Sequence, residues 1–249
     1  ADAVVHAAGA IRARDPGEYW RVNCEGTRAV AEASMRYAPR ARFVVVSSLA
    51  ARAPGLSPYA GSKRASEEAA CAVYRERPDQ LVIVRPPVIY GPWDTATLAI
   101  FKAASRALVP LFGSGRVAIV HVEDAAAAIA LLAAGSLPGG RYALADDRPA
   151  GYSVREILAA AAHALGRTPR FARIPGGALV AAGRASSWWG GIRGRVPLFS
   201  AGKAREMLHP DWSVSPSELL PATIYRSRVG ISEGFRTTVA WYREAQWLQ

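Results

Sequence analysis

The chain has 249 residues, of which 51% are hydrophobic, and it contains only two cysteines. This apolar content excludes a disordered protein, and two cysteines are too few for a disulfide scaffold. No apolar run reaches the ~18 residues that a bilayer span needs. The sequence shows no basic and apolar secretory leader, so we expect a protein of the reducing cytoplasm.

The charge is strongly positive but scattered. There are 31 basic and 20 acidic residues, a formal net charge of +11, and only three of the basic residues are lysines. Nucleic-acid-binding surfaces favour a basic stripe interleaved with aromatic residues, and the nearest candidate is the segment from Trp188 to Arg195. We expect no nucleic-acid partner and keep such binding as the less favoured alternative. The charge indicates solubility and a general attraction of anions.

The first half of the chain alternates apolar runs with helical patterns. An Asp15-Pro16 pair predicts the start of the first helix, because proline suits the first turn. The predicted elements are a strand over Val4 to Gly9, a helix from Asp15 to about Tyr37, a strand over Phe43 to Val46, a helix from Ser57 to Arg77 and a strand over Leu81 to Val84. This alternation predicts βαβ units and a parallel sheet, that is, an α/β fold.

The second half is less regular. Asp124 precedes an alanine-rich helix over 125–134, where a carboxylate suits the helix dipole and is interpreted as structural. Ser153 and Glu156 form a capping-box pattern that predicts a helix to Leu165. A short strand over Arg170 to Ile174 and a helix over Lys203 to Leu208 follow.

The first strand has two unusual features. It is too apolar for a sheet edge, where its unpaired backbone would lie beside a hydrophobic surface. The glycine-rich turn G-x-G-x-x-G, which holds a dinucleotide pyrophosphate, does not follow it. We therefore expect a Rossmann-like doubly wound parallel sheet that lacks its first βαβ units, in an N-terminally truncated chain. About 60 residues would restore two such units.

Three side chains are candidates for chemistry at one edge of this sheet. Tyr59 and Lys63 are spaced i and i+4, on one helix face, and Ser48 ends the preceding strand, where open α/β sheets bind ligands. A lysine charge ~4 Å from the phenol contributes on the order of 4 kcal/mol at an effective dielectric of 20. We expect Lys63 to lower the pKa of Tyr59, so that the phenol exchanges a proton near neutral pH. An isolated match to this spacing is usually an ordinary surface pair, but the two preceding strand ends favour a site.

At these motifs the sequence resembles the extended short-chain dehydrogenase/reductase family, the NAD(P)-dependent epimerase/dehydratase group. The matching stretches are Asp2 to Gly9, Val22 to Thr27, Phe43 to Ser48, Tyr59 to Lys63, Arg85 to Pro92, His121 to Asp124 and Glu233 to Tyr242. They occur in the family's order and cover nearly the whole chain.

The resemblance implies a role for each matching position. Ser48, Tyr59 and Lys63 would be catalytic, with Ser48 holding the substrate oxygen, Tyr59 acting as acid or base and Lys63 also holding the nicotinamide ribose. Further residues implied to bind the cofactor are Ala7, Ala8, Gly9, Asn23, Ser47, Pro86, Pro87 and Val88. Tyr90 and Trp93 are candidates for substrate contact, with packing or surface positions as the alternative. Residues 1–150 would form the incomplete dinucleotide-binding domain and 151–249 the smaller substrate-binding part.

The function implied is an NAD(P)-dependent oxidoreductase, or an epimerase or dehydratase, acting on a secondary alcohol, ketone or sugar-type small molecule. The choice between NAD and NADP stays open, and a homodimer is possible. The short interval from Ser48 to Tyr59 is more typical of unassigned bacterial oxidoreductases than of sugar-nucleotide epimerases. The alternative is a non-catalytic nucleotide-binding scaffold or an inactive fragment.

Other residues that often carry chemistry favour plainer interpretations. The four histidines never occur at metal-ligand spacing and there is no C-x-x-C pair, so no metal site is predicted. His6 is interpreted as a satisfied core histidine, and Cys24 and Cys71 as buried small hydrophobic residues. For Trp188 and Trp189 the favoured expectation is partial burial; a pocket lining, a membrane surface and a protein contact stay open.

Overall fold

The computed structural model describes residues 1–135, 137–192 and 199–248. The strands are β1 (Ala3–His6), β2 (Arg42–Val46), β3 (Leu81–Arg85), β4 (Val88–Tyr90), β5 (Val109–Leu111), β6 (Arg116–Val117), β7 (Ile119–His121), β8 (Gly140–Ala143), β9 (Tyr152–Ser153), β10 (Phe171–Arg173) and β11 (Asp211–Trp212). The α-helices are α1 (Pro16–Tyr19), α2 (Gly26–Tyr37), α3 (Pro58–Val73), α4 (Leu98–Ala104), α5 (Val122–Ala133), α6 (Val154–Ala164), α7 (Gly176–Ile192), α8 (Ala201–Leu208) and α9 (Ile231–Glu244).

The chain forms two compact units. The first comprises Ala1–Pro86, Ala128–Ala143 and Gly177–Met207, and the second comprises Pro87–Ala127, Leu144–Gly176 and Leu208–Gln249. The division of cofactor and substrate binding at residue 150 concerns ligands and stays a prediction.

The first unit contains the four-stranded sheet that positions the candidate site. Its strand order is β1, β2, β3, β8, and every neighbouring pair is parallel. Apolar residues of β2 and β3 pack against α2 and α3, with the Phe43 ring stacked on Tyr74 at a centroid distance of 5.3 Å. The predicted α/β fold with a Rossmann-like parallel sheet is confirmed, because buried parallel strands joined by helices are what the apolar runs indicated.

The predicted helix from Asp15 to Tyr37 is present but is interrupted. Asp15 caps α1, and its side chain accepts the Glu18 backbone N–H at 2.9 Å. Between α1 and α2 lies a π-helical segment, Trp20–Glu25, at whose end the Gly26 N–H bonds to the Arg21 carbonyl. The segment contains buried Asn23, and π-turns are frequent at functional sites.

The second unit is built around aromatic packing between α4, α6 and α9. Phe235 is its centre, with Tyr90 and Phe101 in edge contact at centroid distances of 4.9 and 5.0 Å. The predicted capping box is confirmed, since the Ser153 and Glu156 side chains each bind the other's backbone N–H. The predicted strand near Arg170 is confirmed as β10, which pairs in parallel with β5.

The two cysteines differ in burial. Cys24 is buried, as expected, but Cys71 is exposed, so the expectation of burial was wrong for Cys71. Cys71 lies on α3, and helix periodicity turns it away from the face that contacts the sheet. Within the residues described above, no helix is long and apolar enough to cross a membrane.

Candidate functional site

Ser48 and Tyr59 meet beyond the end of β2. Ser48 follows that strand and caps a 3-10 turn over Leu49–Arg52. Tyr59 lies in the first turn of α3, which Ser57 caps and Pro58 begins. The two side chains are hydrogen-bonded to each other. The Ser48 hydroxyl also accepts the Ala50 N–H at 3.2 Å, which holds it in place.

The environment of Tyr59 favours its neutral form. Burial raises the pKa of the phenol; the Ser48 hydrogen bond lowers it, and the charge of Glu206 raises it. The net pKa lies above the ordinary value for tyrosine. The expected lowering of this pKa by Lys63 is therefore wrong for the chain by itself, because burial, which the spacing could not reveal, is the largest influence on the phenol and raises its pKa.

Lys63 lies one helical turn after Tyr59 and is buried. Its Nζ donates a hydrogen bond to the Val46 carbonyl at 2.8 Å, at the last residue of β2. Burial lowers the pKa of this lysine to about 8, and the charge of Glu67 opposes that effect. The carbonyl that the ammonium binds thus belongs to the residue two positions before Ser48.

A turn of small residues lies next to this ammonium, at the carboxyl end of β1. Ala7, Ala8 and Gly9 are exposed. A Cβ on Gly9 would lie 3.2 Å from the Asn23 Oδ1 and 3.6 Å from the Lys63 Nζ. Exposed backbone beside a buried cation fits a nicotinamide dinucleotide, whose ribose and phosphate groups need close backbone approach and positive charge.

Asn23 holds this turn from the π-helical segment. Its Oδ1 accepts the Ala10 N–H at 2.7 Å, and its Nδ2 donates to the Ala10 carbonyl at 3.0 Å and to the Ser62 hydroxyl at 2.8 Å. The side chain therefore ties the turn after β1 to α3. His6, on β1, bonds the Thr27 hydroxyl through Nε2 at 3.0 Å, as a satisfied core histidine would.

Sequence reasoning missed a buried ion pair behind the site. Glu67 accepts two hydrogen bonds from Arg85, at 2.8 and 2.7 Å, and one from the Ser47 hydroxyl at 2.6 Å. Arg141 adds a contact at 3.4 Å. The hydroxyl of Ser47, predicted to bind cofactor, is thus used inside the protein. The sequence held one indication of this ion pair, because Glu67 lies one turn after Lys63 on the same helix face.

A cavity of about 400 Å³ lies beside the first turns of α3. Its wall includes residues of the segment Pro16 to Trp20, of α3 and of α8, among them Trp20, Ser57, Ser62 and Arg205. Glu206, on α8, accepts a hydrogen bond from the Ser57 hydroxyl. The predicted helix over Lys203 to Leu208, confirmed as α8, therefore contacts the cap of the helix that carries Tyr59.

The remaining predicted residues have other surroundings. Pro86 belongs to the first unit, where its carbonyl accepts the Leu49 N–H at 2.9 Å. Pro87 and Val88 belong to the second unit. Tyr90 is buried in the aromatic core of that unit, and Trp93 is 78% exposed and lies against Trp241 at 5.0 Å. These placements match the packing and surface alternatives, and substrate contact by either residue stays a prediction.

The tryptophan pair is exposed. Trp188 and Trp189 are 63% and 52% exposed on α7, with ring centroids 5.5 Å apart. The expectation of partial burial was wrong, because the helix turns both rings outward. Arg193 and Arg195, the basic part of the stripe considered for nucleic acid, lie outside the described residues.

Solved structures of sugar-nucleotide enzymes are similar to this chain. The UDP-glucose 4-epimerase of Thermus thermophilus, in complex with NAD, is 25% identical with a TM-score of 0.69, over 98% of this chain and 78% of that one. The dTDP-glucose 4,6-dehydratase of Bacillus anthracis, also with NAD, is 17% identical with a TM-score of 0.69, over 98% and 73%. The fold is thus that of the NAD(P)-dependent enzymes of the Rossmann class.

Sequence comparison gives the family. The model of the NAD dependent epimerase/dehydratase family matches residues 1–145, and the chain belongs to this family. A ceramide reductase of Caulobacter vibrioides is 44% identical over 250 residues, which cover 100% of this chain and 76% of that protein.

Proposed function

We propose that this enzyme reduces a ketone on a ceramide-type lipid to a secondary alcohol. The observation that carries the proposal is the hydrogen-bonded Ser48–Tyr59 pair beyond the end of β2. The 44% identity to a ceramide reductase along the whole chain supports the substrate class.

In this proposal Ser48 and Tyr59 act on the same substrate oxygen. The Ser48 hydroxyl donates a hydrogen bond to the carbonyl oxygen and orients it. Tyr59 donates its proton to that oxygen as the alcohol forms, which leaves a phenolate beside the Ser48 hydroxyl. A tyrosine is protonated at neutral pH, so Tyr59 begins the reduction with the proton that it donates.

Lys63 and the turn after β1 would hold the cofactor. The exposed backbone of Ala7, Ala8 and Gly9 would lie along it, and the Lys63 ammonium would bind the nicotinamide ribose. Asn23 holds that turn through Ala10 and acts as a positioning residue. A bound NADH or NADPH supplies the two electrons of the reduction.

The second candidate is epimerisation or dehydration of a sugar nucleotide, favoured by the likeness to UDP-glucose 4-epimerase. Such reactions begin by removing a proton from a substrate alcohol, with Tyr59 as the base. We prefer reduction because the ceramide reductase is 44% identical along the whole chain, whereas the epimerase is 25% identical.

The deciding experiment compares Tyr59→Phe with Tyr19→Phe. The Tyr19 ring lies edge-on to Tyr59 at 6.1 Å, so both variants remove one hydroxyl from the same neighbourhood. Oxidation of NADH and NADPH is measured with a ketone form of a ceramide. UDP-glucose, the competing substrate, is incubated with NAD and analysed for an epimerised or dehydrated product. We expect Tyr59→Phe to lose about 10² to 10⁴ in kcat, the usual contribution of a general acid.

Cofactor binding, measured by fluorescence, should survive in both variants. Equal losses in the two variants would refute the role of Tyr59. Turnover of the sugar nucleotide alone would favour the second candidate, and cofactor binding without turnover of either substrate would favour a scaffold.

A further inference from the structure

The exposed side of α7 is apolar for most of its length. Its exposed residues recur at intervals of three and four, which places them on one helix face. They are Gly177, Ala178, Ala181, Ala182, Arg184, Ala185, Trp188 and Trp189. We call this set the α7 face. It ends in two exposed indole rings, and Arg184 is its one charged member.

The opposite side of α7 packs within the first unit. A Cβ on Gly183 would lie 2.7 Å from the Ser200 carbonyl, so α7 closely approaches the start of α8. Gly202 of α8 is in turn packed on Ser57, where an added Cβ would lie 2.8 Å from the Ser57 Cβ. The α7 face is therefore carried by helices that contact the cap of the Tyr59 helix.

We propose that the α7 face docks on the surface of a membrane that contains anionic lipids. Tryptophan and small apolar residues suit the boundary between headgroups and acyl chains, and such a helix lies in the membrane plane without spanning it. The net charge of +11 adds attraction to anionic headgroups. No helix among the described residues can cross a bilayer, which agrees with a surface contact.

This inference rests on the proposed function for its purpose. A ceramide-type lipid has two long hydrocarbon chains and stays in a bilayer, so its reductase must meet it there. Docking through the α7 face would hold the membrane on the outer side of the helix that packs against α8, and Arg205 of α8 lines the cavity beside the first turn of α3.

The test is flotation of the full chain with vesicles of phosphatidylcholine, with and without phosphatidylglycerol. We expect binding to the anionic vesicles, weakened by added salt. Replacing both Trp188 and Trp189 by alanine should lower the partition coefficient roughly tenfold, from the apolar area no longer buried. Tyr37→Ala, which removes an aromatic ring that is 77% exposed on α2, should leave binding unchanged.

A second pair of variants keeps both tryptophans. Ala185→Asp should weaken binding to anionic vesicles, whereas Ala185→Lys should preserve or strengthen it, because only the sign of the added charge differs. Circular dichroism and the melting temperature check that each variant folds.

Three results would overturn the inference. The first is wild-type protein that does not float, and the second is a double alanine variant that floats like the wild type. The third is a double variant in which only the gel-filtration volume changes; that result would identify the α7 face as a contact between copies of the chain. Tyr59→Phe should float normally. If Tyr59→Phe floats normally but keeps its activity, the proposed function fails and docking stands. If it loses activity but the wild type does not float, docking fails and the proposed function stands.

Discussion

A buried carboxylate in each of the two units is satisfied in an opposite way. Glu67, in the first unit, is fully buried and is paired with the guanidinium of Arg85. Asp124, in the second, is 3% exposed and is held by hydroxyl and backbone N–H donors. A buried anion needs either a counter-charge or a full set of donors, and these two residues exemplify the two solutions.

The donors of Asp124 come from a single segment. The Tyr225 and Ser227 hydroxyls donate to it at 2.6 and 2.7 Å, and the N–H groups of Arg228 and Val229 donate at 2.9 to 3.1 Å. The carboxylate thus pins that segment to the first turn of α5. The expectation that Asp124 is structural is consistent with these contacts.

The pKa of Asp124 reflects this balance. Burial, the largest single influence, raises the pKa of this carboxyl. The four donors together lower the pKa by more than burial raises it, so the net pKa falls below the ordinary value. In the first unit the Glu67 charge acts on a site residue, since it opposes the lowering of the pKa of Lys63. The charge of Glu67 therefore changes the pKa of a residue in the candidate site, whereas the donors of Asp124 fix only the segment from which they come.

The largest effect is expected for Glu67→Gln. It leaves the Arg85 guanidinium buried without its counter-charge, which costs about 3–5 kcal/mol of the free energy of unfolding. Glu68→Gln is the matched control, because Glu68 is exposed and pairs with Arg64 on the surface, where ion pairs contribute little. Urea denaturation of both variants measures the difference. Equal stability of the two variants would remove the contrast between buried pair and surface pair.

A smaller loss is expected for Asp124→Asn. The amide keeps one acceptor oxygen but turns an NH₂ group towards donors, at a cost of about 1.5–3 kcal/mol. Glu123→Gln, an exposed neighbour on α5, is the control.

The loss of stability in Asp124→Asn should also depend on pH. A carboxyl whose pKa is lowered by folding stabilises the protein above its unfolded pKa of about 3.9, and this contribution is lost as pH falls through the folded pKa. The stability gap between wild type and Asp124→Asn should therefore shrink in acid. A gap that stays constant down to the lowest measurable pH would contradict the lowered pKa.

The smallest effect concerns Lys63. Its pKa of about 8 predicts that affinity for NADH weakens as pH rises through that value, since the ammonium loses its charge. Removing the Glu67 charge removes the influence that raises this pKa, so the midpoint in Glu67→Gln should move to lower pH. Cofactor fluorescence titrations across pH measure it, with Glu68→Gln as reference. An unmoved midpoint would show that the paired charge does not reach the site.

Much of the fold of the first unit was predictable from local signals. Apolar runs gave β1, β2 and β3, and the Asp15-Pro16 and Ser57-Pro58 pairs gave the starts of α1 and α3, because capping is decided by a few neighbouring residues. The spacing of Tyr59 and Lys63 is local in the same way. The contact of Ser48 with Tyr59 was expected because ends of parallel strands lie at the ligand-binding edge.

What escaped prediction depends on contacts between distant residues. The pairing of Glu67 with Arg85 joins a helix to a strand, and no spacing rule specifies it. The pKa of Tyr59 depends on burial by surrounding elements, including α8, and the outward position of Cys71 depends on which face of α3 meets the sheet. The π-helical segment replaces a uniform helix without a proline or other breaker within it.

That segment has a consequence for the geometry of the whole edge. A π-turn holds one more residue than an α-turn. The side chains after the π-helical segment therefore point in different directions around the helix axis than they would in a continuous α-helix. Through that offset, the Tyr19 ring meets Tyr59, the Asn23 amide meets Ala10 and the Thr27 hydroxyl meets His6. An uninterrupted α-helix over the same residues would turn these side chains through different angles, so one surplus residue sets how this segment meets the sheet edge and the helix that carries Tyr59.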